Sequence, residues 1–129
     1  MPAARVLIAI EPPMYAEALA FSLRRRRPRA EVFLLDDPGD LEAEVRRLHP
    51  HLIVANRVPR AARAAAFWVR VAEPVAGGGA KGMGAQIGAD GSSRSVANLR
   101  TGDVLEALDR AEEQLVLGGG HAQEGGGGR

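Results

Sequence analysis

Three short, nearly unbroken apolar runs do most to limit what this chain can fold into: RVLIAI at 5–10, AEVFLL at 30–35 and HLIVAN at 51–56. Each has the length of a strand, and continuous apolarity at that length suits a strand covered on both faces, as in a parallel sheet. Between the runs the period becomes helical. Tyr15, Ala18, Leu19, Ser22 and Leu23 fall on one helical spacing after Pro13, and proline is tolerated in a first turn because its missing N–H would have no partner there. Pro28 disfavours helix in the residue before it and closes this segment. LEAEVRRL (41–48) puts Leu41, Val45 and Leu48 on one face, with glutamates early and arginines late, the charge order that complements a helix dipole. His49-Pro50 stops it. The order β-α-β-α-β with short links predicts a right-handed parallel α/β arrangement.

Beyond Pro59 the pattern weakens. The alanine-rich stretch before Phe67 predicts a short helix with a thin apolar face, and FWVRV (67–71) alternates as an edge or half-exposed strand does. Residues 72–100 hold many glycines and no helical period, so the fourth helix of a doubly wound fold is expected to be missing. Strands four and five are then expected to form an antiparallel hairpin at the edge. The resulting expectation is a three-layer α/β sandwich with a mostly parallel five-stranded sheet in the order 2-1-3-4-5. Thr101 and Asp103 suit a helix start, and Val104, Leu105, Leu108, Ala111 and Leu115 make an amphipathic stripe that Gly118 can end. One domain is expected over 1–117, followed by a disordered glycine-rich tail at 118–129.

The chain has 129 residues, 46% hydrophobic and 26% charged, with a net charge of +1 and no cysteine. That is enough chain to bury a core without cross-links; disulfides and thiolate metal sites are excluded, and charge gives no general pull toward nucleic acid or membrane. No apolar run approaches a membrane span, and the first run is too short for a signal-peptide core. A cytoplasmic protein is expected.

RVLIAIEPPMYAEAL is similar to the first strand, acidic loop and first helix of the receiver domain of bacterial two-component response regulators, and RLHPHLIVAN to its third strand. The resemblance covers 5–59 well and 60–72 loosely, and implies a flavodoxin-like fold. Receiver chemistry moves a phosphoryl group to an aspartate beside Mg²⁺ held by carboxylates, so it needs a carboxylate nucleophile and hard oxygen ligands. Here the paired acidic positions read Ile10 and Glu11, and the phosphoacceptor position reads Asn56. The hydroxyl after the fourth strand has no counterpart in 68–75, the lysine of the fifth strand is missing, and the loop proline is Pro59, one residue early. The resemblance therefore implies a receiver-like chain without the phosphorylation site: a regulatory or protein-interaction module, with no cofactor, no metal and no enzymatic activity.

Glu11, Asn56 and Arg57 are the candidate rim at the carboxyl edge of the sheet, where open α/β sheets bind ligands; a small-ligand sensor using them is the alternative. GGGAKG (77–82) matches G-x-G-x-x-G but lacks the strand-to-helix setting that gives the motif meaning. RRRRPR (24–29) is read as a solvated helix end rather than a phosphate-binding patch, which disfavours nucleic acid. His49, His51 and His121 have no carboxylates at metal-ligand spacing. Phe67 and Trp68, on opposite faces of one strand, are the candidate interface residues. Either Trp68 is buried under 60–66, or it lies in the interface of a homodimer formed through 67–88. Any further partner would be a signalling protein on another chain.

Overall fold

In a computed structural model the described residues are 3–72, 84–89 and 92–128, with side chains of the last helix described as far as Val116. Among them lie six strands and four α-helices: β1 (Arg5–Ala9), α1 (Pro13–Arg26), β2 (Glu31–Leu34), α2 (Leu41–Leu48), β3 (Leu52–Ala55), α3 (Arg60–Ala65), β4 (Phe67–Val71), β5 (Ala85–Ala89), β6 (Ser92–Val96) and α4 (Thr101–Gly128). They form one sheet in the order β2-β1-β3-β4-β5-β6. β2, β1, β3 and β4 run parallel, while β5 is antiparallel to β4 and β6 to β5.

This corrects the expected architecture. The sheet has six strands rather than five, and four α-helices are present where a missing fourth helix was expected. The extra strand is SSRSV, whose first four residues are exposed. An edge strand that buries neither face needs no apolar alternation, so the usual strand signal is absent from its sequence. Of the two settings open for FWVRV, an edge or a half-exposed strand, the edge does not hold: β4 lies between β3 and β5, the place the expected order gave it, with Arg70 exposed. GGGAKG and Lys81 fall outside the described residues.

The strand pleat sorts the core into two layers. Val6, Ile8, Leu52, Val54, Val69 and Val71 face α1 and α4, where Ala16, Ala20, Leu23, Val104 and Leu108 meet them. Leu7, Ala9, Ile53, Ala55 and Trp68 face α2 and α3, against Leu41, Val45 and Ala62. Both faces of β1 and β3 are therefore covered, which is why their sequences are apolar without alternation. The result is a mixed α/β sandwich, a sheet flanked by helices, consistent with the flavodoxin-like superfamily in general.

Two helices depart from their expected form. On α1 the buried residues are Ala16, Ala20 and Leu23, whereas Tyr15 and Ala18 are exposed. Leu19 and Leu23 do meet the core as the spacing predicted, so the buried face is rotated from the expected one toward Ala16 and Ala20. α4 runs to Gly128, past the stop placed at Gly118. The expected boundary at 117 falls where side chains are no longer described.

Candidate functional site at the carboxyl edge of the sheet

β1 and β3 are neighbours, and β2 follows in sequence on the far side of β1, so the strand order reverses between them. Open α/β sheets bind ligands beyond the carboxyl ends of strands at such a point. The chain leaves β3 there through Asn56 and leaves β1 through Ile10 and Glu11.

Asn56 is buried, with 9% of its surface exposed, and both ends of its amide are engaged. Its Oδ1 accepts the backbone N–H of Glu11 at 2.8 Å, and its Nδ2 donates to the backbone carbonyl of Val71 at 3.1 Å. Glu11 follows β1, and Val71 ends β4. One side chain thus ties the ends of three adjacent strands across the centre of the sheet. Ile10 sits in the α1/α4 core layer, so the first of the two acidic positions holds a buried apolar side chain.

The structure joins Glu11 to Asn56 through the backbone N–H, while the Glu11 side chain is exposed. Asn56 and Arg57 share a hollow of about 650 Å³ with Arg70 of β4 and Gln86 of β5. Glu11 does not line it. Arg70 donates through Nε and Nη2 to Oε1 of Gln86, its cross-strand partner, at 3.2 and 3.1 Å. Arg70 and Gln86 were not singled out from sequence; the one available signal was a lone charge inside an apolar strand. Among the described residues that line it, Arg57 and Arg70 are charged and none is a carboxylate, a lining that favours an anion over a cation.

Phe67 and Trp68 do face opposite sides. Phe67 is half-buried against the α1/α4 layer. Trp68, 6% exposed, is buried within its own chain with Val58 and Ala62. The Arg63 guanidinium stacks over its ring at 4.7 Å, and its indole fills the space above Gly88, where a Cβ would fall inside the ring. Of the two settings open for Trp68, the structure has the first, under α3.

The arginine run is largely tethered. Arg24 donates to the carbonyl of Val32 at 2.9 Å, Arg25 lies over Phe21 at 5.6 Å, and Arg27 makes a two-pronged contact with Asp109 at 2.9 and 2.8 Å. That hydrogen bond raises the Arg27 pKa against a smaller opposing effect of burial, and it fastens the end of α1 to α4. Among the described residues no group of three or more His, Asp or Glu side chains is placed to hold a metal ion, and no helix is long and apolar enough to cross a membrane.

No family model matches the chain, and no curated protein and no solved structure matches it either.

Proposed function

We propose that the chain is a non-catalytic, receiver-like regulatory module that acts by contact with another protein chain. The observation that carries this reading is Asn56: where a receiver needs a free carboxylate, this chain has a buried amide hydrogen-bonded at both ends. An amide cannot form an acyl phosphate, and the buried Ile10 removes a carboxylate that would help hold Mg²⁺. The test is intact mass after incubation with acetyl phosphate and Mg²⁺. No change in mass is expected. A gain of one phosphate that is lost at alkaline pH would overturn the reading.

The partner we propose is a second copy, meeting the first through α1. Met14, Ala18 and Phe21 form a stripe at spacings of four and three, opposite the buried Ala16, Ala20 and Leu23. Met14 is 75% and Phe21 60% exposed, which is unusual side by side on a surface helix. If two α1 helices cross antiparallel near Phe21, Glu17 of each stands by Arg25 of the other. A twofold contact is self-complementary in this way. Light scattering at roughly 50 μM is expected to give a dimer that Phe21→Glu dissociates. A monomeric wild type, or a dimer indifferent to that substitution, removes the homodimer from the proposal.

The second reading is a small-ligand sensor. Its support is the hollow lined by Arg57 and Arg70, and a rise in thermal midpoint with a small anion, lost in Arg70→Ala, would favour it.

A further inference from the structure

A second hollow lies at the opposite, amino edge of the sheet, between α2 and α3, and measures about 510 Å³. Small-molecule clefts commonly measure about 300–1,000 Å³. Its apolar wall is short-chained, from Val45 on α2 and Ala61, Ala62 and Ala65 on α3. Small side chains there leave the space between the two helices unfilled.

The rim has a defined hydrogen-bonding character. The backbone N–H of Arg5 donates to Nδ1 of His51 at 2.9 Å. Nδ1 is therefore the acceptor, and the proton of the neutral ring sits on Nε2. No described residue accepts from Nε2, and among the described residues no buried side-chain nitrogen lacks a partner, so this N–H is open to solvent. Burial, then the Arg5 charge, lowers the His51 pKa, which favours the neutral ring.

Arg5 is committed elsewhere. Its Nε donates to the carbonyl of Leu48 at 2.7 Å and its Nη2 to that of His49 at 2.9 Å. Those are the last carbonyls of α2, so the guanidinium offsets the negative end of that helix beside the hollow. Arg46 makes no ion pair among the described residues. The rim therefore carries the committed Arg5, the Arg46 guanidinium, one carboxylate, Glu42, and His49.

We propose that this hollow binds a small carboxylate with a compact apolar body. The carboxylate takes hydrogen bonds from His51 Nε2–H and the Arg46 guanidinium, and the body lies against Val45 and Ala62. The donor set suits a single carboxylate better than phosphate, whose additional oxygens would face the alanine wall unpaired.

The test is an NMR titration of the full chain with benzoate, beside benzyl alcohol and inorganic phosphate. Benzoate is expected to shift backbone resonances in 42–51 and 61–65 at roughly 1–10 mM, the range for a fragment of that size. Benzyl alcohol should bind about tenfold more weakly, and Arg46→Ala should weaken benzoate by about the same factor. Ala65→Leu, on an exposed position, should fill the space and abolish the shifts without unfolding the chain. Equal binding of benzyl alcohol removes the anion requirement and overturns the proposal. So do phosphate-induced shifts of the same residues, benzoate shifts centred on Asn56 and Arg57 instead, and no response at about 10 mM.

Discussion

An aspartate in place of Asn56 would keep the acceptor that the Glu11 N–H needs and lose the donor that the Val71 carbonyl needs. At neutral pH it would also set a buried carboxylate against that carbonyl. Asn56→Asp is therefore expected to lower stability by about 1–3 kcal/mol, read from urea denaturation, and to leave the protein unable to accept phosphate from acetyl phosphate. A variant as stable as the wild type would show that the clamp is unimportant, and efficient phosphorylation would show that the receiver site is better preserved than its residues suggest. The missing carboxylate was legible in the sequence, because residue identity alone excludes the nucleophile. The clamp was not, since its second partner, Val71, is 15 residues away and becomes adjacent only through the strand order. His51 has a similar hidden role. Burial, and less strongly the Arg5 charge, lower its pKa, so the unfolded ring, at its ordinary value of about 6.5, takes up a proton before the folded one does. Its stabilising contribution is complete above that ordinary value and is lost as pH falls through the lowered folded value. Arg5 on β1 and Glu42, Arg46 and His49 on or beside α2 are the charged and titratable groups around the same hollow. His51→Asn keeps a side-chain acceptor for the Arg5 N–H but does not titrate there. Thermal midpoints measured from about pH 8 to about pH 5 should fall more steeply in the wild type than in this variant. Parallel curves would count against the assignment.

At the scale of elements, what could be read from the sequence tracks how each segment is covered. β1 and β3 fall on two of the apolar runs because interior parallel strands need apolar residues on both faces; β2 falls on the other although it is an edge strand, with Val32 its one buried residue. β6 was missed because four exposed residues carry no pattern, whereas β4 lies between β3 and β5 as the expected order had it, its exposed Arg70 pairing with Gln86 across the next strand. α1 was found, but its buried face was misjudged: small alanines line the core side, and the large apolar Met14, Tyr15 and Phe21 lie outside. The antiparallel join between β4 and β5 includes one tight fit, the Trp68 indole over Gly88, its cross-strand partner. A methyl group there would overlap the ring. Gly88→Ala is expected to destabilise by about 1–3 kcal/mol through overpacking, and pairing it with Trp68→Leu should recover part of that loss. A double-mutant cycle in urea checks this. Strict additivity would mean that the ring and the glycine do not constrain each other.

Across the whole molecule, stability is expected to rest on the two apolar layers that sandwich the sheet, and α4 contributes to one of them through the first part of its described residues. Val104, Leu105, Ala107, Leu108 and Ala111 are buried, Leu115 is half-buried, and Val116 is exposed. After Leu117 the sequence GGGHAQEGGGGR offers one alanine and no larger apolar side chain. Burial of apolar area is the main source of tertiary stabilisation, at about 25 cal/mol per Å², and this segment has almost none to contribute. Glycine in a helix interior is also less favourable than alanine by about 1 kcal/mol. Deleting 118–129 should therefore move the thermal midpoint by no more than roughly 2 °C. A deletion that begins at Leu108 removes a fully buried core side chain, and the same core reasoning requires it to prevent cooperative folding. The two truncations together separate length from packing. If removing only 118–129 lowers the midpoint by several degrees, the last residues contribute contacts that their composition does not suggest, and the domain extends beyond residue 117.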